Sequence, residues 1–336
     1  DFNYKDFISS DLSLVASCNT YLVCVPTPVS INNKPNLTFL KNACISLKKI
    51  IKDNDLVIFE STVYPGVTRN FCIPILRNTI SNKNFYVGYS PERYSPGDQL
   101  KIENITKLVS GENLIVAKEV KKFYSKFIKN TFLTNTIEEA EMAKNFENCQ
   151  RDHNIALINQ LDILCDKTGI NTKNVINACK TKWNFNYYKP GLVGGHCISV
   201  DPYYLIDYAK NNKFNFSSLK LSRNINDNYI LYTVNKIQSF FANNSVKSND
   251  EIIFIGSTYK KDVDDVRNSG PLKIYKIFTK KYSKTTLYDP LLDKKKLTNL
   301  SRFKAIIILV LHSEMKNNKK FSNFIKNNNK VLNISS

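Results

Sequence analysis

The sequence predicts an α/β protein: two doubly wound domains joined by a long central helix. Three observations predict it. Over the first 135 residues, short strand-forming runs alternate with amphipathic stretches, the pattern of a parallel sheet flanked by helices. From Thr136 to Thr168 the apolar residues recur at spacings of 3 and 4, over a length beyond a typical globular helix. After residue 250 the strand periodicity returns, again interleaved with helical stretches. The expected divisions are 1–135, 136–245 and 246–336.

Taken in order, Tyr21–Val25 and Leu56–Glu60 read as buried strands, with a helix from about Thr38 to Lys52 between them. Phe85–Tyr89, Thr106–Ser110 and Thr131–Thr134 carry further strand signals, and Glu112–Lys129 is helical. Gly169 stands where the long helix should end in a C′ glycine, and Asn171 or Thr172 is placed to cap the next one. A loop rich in aromatics and glycine, 181–200, leads to a helix starting near Pro202, and helical periodicity continues to about Ala242. The polar run 244–250 reads as a linker. Glu251–Ile255, Thr285–Tyr288, Ala305–Leu309 and Val331–Ile334 are the strands of the second α/β domain, with helices near 270–280 and 318–327.

Composition removes several classes. With 42% hydrophobic and 23% charged residues in 336, the chain has the balance of a globular protein. No run of 18 apolar residues occurs, so no membrane span is expected. The net charge of +19 comes from 41 Lys against 7 Arg, scattered among acidic residues and accompanied by 43 Asn. Nucleic-acid readers concentrate arginine, whose planar fork matches phosphates and guanine edges, so a nucleic-acid partner is not expected. The eight cysteines form no CxxC pair and only three histidines are present, so no metal site is expected. Asp1–Asp6 show neither a basic n-region nor an apolar h-region, and reduced thiols in the cytoplasm are the expected state.

The segment Lys189-Pro-Gly-Leu-Val-Gly-Gly-His-Cys-Ile-Ser-Val-Asp-Pro-Tyr-Tyr is the richest in chemistry. Its glycines permit close approach of backbone to a ligand, and Cys197 ahead of a helix N-terminus suits a nucleophile. Asp201, four residues on, is near enough to hold a proton or a water. A glycine turn with an incidental cysteine is the equal alternative. Glu141, Lys144 and Asn148 share one face of the long helix, where a cation and an amide would donate to an oxyanion; a solvated face with an ion pair is the plainer reading. Glu92 and Thr62 follow strands, at the edge where open α/β sheets meet ligands. Lys260 and Arg267 either reach phosphate oxygens or balance the nearby aspartates. No G-x-G-x-x-G turn occurs anywhere in the chain, so dinucleotide binding does not follow from a phosphate loop.

Together the motifs are recognisable. Val-Pro-Thr-Pro (25–28), Glu-Ser-Thr-Val-Tyr-Pro-Gly (60–66), Gly-Tyr-Ser-Pro-Glu-Arg (88–93), Pro-Gly-Leu-Val-Gly-Gly-His-Cys (190–197) and Asp-Val-Arg-Asn-Ser (265–269) stand in this order. The chain resembles the UDP-glucose/GDP-mannose dehydrogenase family, over about residues 15–335. Thr-Lys-Trp-Asn-Phe (181–185) resembles the UDP-N-acetylglucosamine 6-dehydrogenase branch of Vi-antigen and capsule type, with relatives acting on the galactosamine epimer. Val200 stands where the UDP-glucose branch has Lys, in keeping with that branch. The resemblance implies an N-terminal Rossmann-like NAD domain, a helical dimerisation domain and a C-terminal UDP-sugar domain in a homodimer. It implies oxidation of the sugar's C6 alcohol to the acid with two NAD⁺, through a thiohemiacetal and thioester on Cys197.

The same resemblance assigns the remaining roles. Lys144 and Asn148 match the oxyanion donors, Asp201 and Thr62 the residues that manage a water and the first deprotonation, and Glu92 the carboxylate of thioester hydrolysis. Thr27, Thr62, Glu92 and Arg267 match cofactor contacts. Glu92, Arg93, Lys144, Gly191, Gly194 and Lys260 match substrate contacts. The family opens with a strand, a glycine turn, a helix and a second strand. A βαβ unit needs about 30 or more residues, so roughly 60–80 residues of that pattern are expected ahead of Phe7. The chain is then either a piece of an active enzyme or a shortened relative that binds NAD poorly and keeps only sugar-nucleotide binding or dimerisation.

Overall fold

Strands form where β-branched and aromatic residues run together, and the computed structural model describes residues 8–78, 84–95, 97, 100–294, 297–326 and 328–335. Phe7 lies outside them. Thr20–Val23 (β1) and Leu56–Phe59 (β2) flank a helix, Thr38–Leu47 (α1). A π-helical turn, Thr68–Cys72, runs into Ile73–Arg77 (α2). Tyr86–Tyr89 (β3), Lys107–Gly111 (β4), Leu114–Tyr124 (α3) and Thr131–Leu133 (β5) complete a five-stranded sheet of order β1-β2-β3-β4-β5. Its core holds Leu40, Val57, Phe59, Leu76, Val87 and Tyr89.

The all-parallel expectation needs one correction. β1, β2 and β3 are parallel, but β3 and β4 pair antiparallel, Gly88 opposite Gly111. The intervening chain contains only the 3-10 turn Ile102–Asn104 among its described residues. A parallel return needs a crossover to the other end of the sheet, and without one the chain re-enters from the edge it left. α3 then supplies a crossover, and β4 and β5 are parallel.

Two helices are shorter than their periodicity suggests. The amides of Ile50 and Ile51 both bond the Leu47 carbonyl, and Ile51 turns inward to full burial. Asn113 caps α3, its side chain accepting from the Val116 amide at 3.1 Å, and Phe127 and Ile128 fold back on the Tyr124 carbonyl.

Four helices follow: Ile137–Thr168 (α4), Thr172–Cys179 (α5), Asp201–Asn211 (α6) and Ser217–Asn243 (α7). Gly169 ends α4 at φ +71 as expected, with the Ile170 amide on the Cys165 carbonyl, and Asn171 caps α5. The second sheet contains Ile252–Ile255 (β6), Thr285–Tyr288 (β7), Ala305–Ile308 (β8) and Val331–Asn333 (β9), all parallel in the order β7-β6-β8-β9. Helix Gly270–Thr279 (α8) packs Ile274 and Phe278 on Phe254. Ser313–Asn317 (α9) and Lys319–Lys326 (α10) bring Met315 and Phe321 to Ile253 and Ile306. With helices on both faces, β6 and β8 are buried throughout and read as unbroken apolar runs.

Two compact units result: Asp1–Glu147 with Tyr203–Asn215, and Asn148–Pro202 with Phe216–Ser336. Among the described residues no helix is long and apolar enough to cross a membrane.

Candidate functional site

In the second unit the glycine loop is fixed at both ends. Asn159, fully buried on α4, accepts from the Gly191 amide at 2.8 Å and donates to the Gly191 carbonyl at 3.1 Å. Further on, the Gly195 amide donates to the Arg267 carbonyl at 3.1 Å, and Asn268 donates to the Gly195 carbonyl at 3.3 Å. Gly195 has φ +81, and a Cβ there would fall 2.7 Å from the Tyr259 ring, so only glycine suits both the backbone and the space. The loop delivers an exposed Cys197. Its carbonyl accepts from the amides of Val200 and Asp201, the turn that opens α6. Asp201 is buried and takes a 2.6 Å hydrogen bond from the Asn148 amide nitrogen. His196 is held below its usual basicity, by burial first and by Arg267 second.

A cavity of about 240 Å³ opens beside this loop, lined among others by Gly191, Gly194, Arg151, Tyr259, Lys260 and Lys261. Three cationic side chains around a glycine-walled pocket suit a polyanion. A buried network steadies the turn that carries Tyr259 and Lys260. Asp289, at the end of β7, accepts from the amides of Ser257 (2.7 Å) and Thr258 (3.2 Å), while the Asp262 amide donates to His312 Nδ1 at 2.9 Å. Burial works against the Asp289 charge, but His312 and the amides of Ser257 and Leu291 outweigh it and hold the carboxyl at about 2. Arg267 takes the second of its two expected roles here. It is exposed and bonds both oxygens of Asp265, at 2.8 to 3.1 Å.

In the first unit the carboxyl ends of β1, β2 and β3 converge. Thr27 Oγ1 donates to the Thr62 carbonyl at 2.7 Å, and the Tyr204 hydroxyl donates to the Thr27 carbonyl at 2.6 Å. Glu92 follows β3 and is half exposed, accepting from the Tyr94 amide (2.5 Å) and from Lys107 (3.2 Å). Lys107 also reaches Glu60 at 3.1 Å, and the Tyr124 hydroxyl bonds the same glutamate. Burial would raise the Glu92 carboxyl; the Tyr94 amide and the Lys107 ammonium outweigh it and hold it below its ordinary value. Arg93 is tied to both oxygens of Glu147 and to the Thr106 carbonyl.

Lys144 is buried on α4, with no hydrogen bond or ion pair among the described residues. The expected solvated face with a Glu141–Lys144 ion pair is therefore corrected. Glu141 is fully buried and accepts from the amides of Gly66 (2.5 Å) and Thr68 (2.9 Å), capping the turn after the Thr62 loop. Asn145 adds a 2.5 Å bond to the Val63 carbonyl. The helix thus carries the loop's anchors on the same face as Lys144.

Burial pushes the Glu141 carboxyl from 4.5 up to about 7, the Thr68 and Gly66 donors limiting the rise. A raised carboxyl contributes stability fully below the unfolded value and loses it as pH rises through about 7; the gap is worth on the order of 3 kcal/mol. The difference in unfolding free energy between the wild type and Glu141→Gln is thus expected to move by that order between pH 4 and pH 8, against the wild type at high pH. A difference constant with pH would contradict this.

Several of these residues escaped sequence reasoning: Lys107, Glu60, Arg151, Asn159 and Tyr259. Two left signals. Lys107 opens a strand that is buried throughout, and Asn159 interrupts the apolar run Ile-Ala-Leu-Ile. The strand-end residues Thr27, Thr62 and Glu92 fit the redox half of a dinucleotide, sitting where open sheets take such ligands. The phosphate half calls for amides of a glycine turn, and this sequence has none.

Comparison with known proteins agrees along the whole chain. Residues 5–128 match the NAD binding domain of the UDP-glucose/GDP-mannose dehydrogenase family, 138–228 its central domain and 253–334 its UDP binding domain. A UDP-N-acetyl-D-glucosamine 6-dehydrogenase of Salmonella typhi is 35% identical, covering 92% of this chain and 76% of that protein. Protein CapL of Staphylococcus aureus is 37% identical over 93% of this chain and 78% of its own length. A solved structure of a UDP-D-ManNAc dehydrogenase from Pyrococcus horikoshii superposes with a TM-score of 0.85 at 30% identity, covering 97% of this chain and 78% of that one.

Proposed function

Because the chain belongs to the UDP-glucose/GDP-mannose dehydrogenase family and carries its NAD-binding and UDP-binding domains, we propose that it is a UDP-N-acetylhexosamine 6-dehydrogenase, making a uronic acid precursor of a surface polysaccharide. The observation that supports this best is the loop that holds Cys197 exposed, one turn from a buried Asp201 bonded to Asn148. The names of the relatives, acting on UDP-N-acetylglucosamine and UDP-ManNAc, support an N-acetylated hexosamine.

NAD, held at Thr27, Thr62 and Glu92 of the first unit, would supply the hydride acceptor for both oxidations. The protein's own groups do the rest. Asp201 holds the water that takes the C6 hydroxyl proton. Lys144 and Asn148 donate to the oxygen of C6 as it gains charge. Cys197 Sγ adds to the aldehyde carbon to give a thiohemiacetal; its oxidation, the second of the two, leaves a thioester, which water cleaves to the acid and the free thiol, with Glu92 as the carboxylate of that hydrolysis. Glu92 is ionised and braced by Lys107, as a residue orienting a water should be. Arg93, Gly191, Gly194 and Lys260 contact the sugar nucleotide, with Lys260 and Arg151 facing its diphosphate.

A homodimer fits the exposed leucines on the long helices, Leu157 and Leu164 on α4 and Leu221 and Leu231 on α7, all more than half exposed. Turnover of UDP-N-acetylglucosamine, UDP-N-acetylgalactosamine and UDP-glucose tests the reading. Two NADH per sugar and a preference for an acetylated substrate are expected. One NADH per sugar, with aldehyde accumulating, would contradict it.

A further inference from the structure

The glycine loop is anchored by two independent sets of bonds, and only one of them lies near the cysteine. At Gly195 the bonds come from Arg267 and Asn268. At Gly191 both backbone groups are taken by one side chain, Asn159. We propose that Asn159 is a positioning residue that sets the wall of the sugar-nucleotide pocket, and so substrate affinity, without acting on the nucleophile; this rests on the reading of that pocket as the UDP-sugar site.

Asn159 is fully buried, and its amide is oriented by further bonds. Its nitrogen also donates to Asn226 Oδ1 at 2.9 Å. Asn226 in turn donates to the Asp152 carbonyl (2.9 Å) and to Asp152 Oδ1 (2.8 Å), which also accepts from Arg223 at 2.6 Å. The chain of donors leaves Asn159 one way to face, oxygen toward the Gly191 amide and nitrogen toward its carbonyl. A bidentate grip on the N–H and C=O of one residue fixes the two peptides that flank its Cα together, as a strand pairing would. Gly191 and Gly194 line the cavity with Arg151 and Lys260, so a shift at Gly191 moves the pocket wall. The segment 195–200 that carries the thiol is bonded instead at Gly195 and at the turn that opens α6.

Asn159→Ala is expected to raise KM for the UDP-sugar at least tenfold while kcat and KM for NAD stay within about threefold, and to speed amide exchange across 190–194 more than across 195–200. Asn159→Asp keeps the size and the acceptor arm but sets an oxygen against the Gly191 carbonyl and Asn226 Oδ1, and is expected to raise KM at least as far; a thermal melt of each variant separates this from a folding defect. UDP binding by calorimetry separates the two layers. A wild type that binds neither UDP nor a UDP-sugar overturns the site reading itself. A wild type that binds, with both variants binding equally well or losing kcat and KM together, overturns the role of Asn159 alone.

Discussion

Cys197→Ala should make no uronic acid: its rate of acid formation is expected to fall by on the order of 10⁴ or more, the scale of losing a covalent nucleophile. Its described neighbours in the chain do not replace it. The flanking His196 is partly buried and held below its usual basicity, and Ser199 has its hydroxyl committed to the Gly195 carbonyl at 2.5 Å. The first oxidation, alcohol to aldehyde, needs no covalent bond, so this variant should still form NADH in a burst of one per active site and bind the aldehyde. Fold should be unaffected, because Cys197 is exposed and the bonds of its carbonyl to the Val200 and Asp201 amides survive the substitution. Sustained formation of two NADH per sugar by Cys197→Ala would remove the covalent step from the mechanism.

The second large effect is expected at Lys144. Lys144 is buried on α4, and in the proposed mechanism it donates to the reacting oxygen, where losing one donor typically costs about 10²–10³ in rate. Lys144→Met keeps the length and apolar stem of the side chain, so kcat should fall by that factor while stability in denaturant melts changes little. A merely structural lysine would lose stability on replacement and leave the rate nearly intact. Those opposite outcomes make the pair of measurements decisive.

Much of the fold was legible because β6, β8 and the long helix are strongly patterned. Runs such as Ile252–Ile255 and Ala305–Ile308 are buried on both faces, and α4 keeps its 3-4 spacing until a glycine with positive φ stops it. The antiparallel β3–β4 pair was not legible, since strand direction depends on where the connecting chain travels and periodicity carries no such information. Of the site, Cys197, Asp201 and Asn148 were named from motif and spacing, and the structure brings Asn148 and Asp201 into a direct bond. Their supports were missed for a physical reason. Asn159, Glu141 and Lys107 act on partners distant in sequence, Gly191, Gly66 and Glu60, and look alone like polar interruptions of apolar elements. The plainer reading of Glu141 and Lys144 as a solvated pair fails because spacing on a helix says which residues share a face, but not whether that face meets water.

The chemical identity of the enzyme-bound intermediate tests the account most directly. Glu92→Gln, slowed in thioester hydrolysis, is mixed with UDP-N-acetylglucosamine and NAD, quenched in acid, digested and mapped by mass spectrometry. A sugar-nucleotide acyl adduct confined to the peptide containing Cys197 is the predicted result. An adduct on Cys24 or Cys179 instead, or acid formed with no adduct on any cysteine, would contradict it.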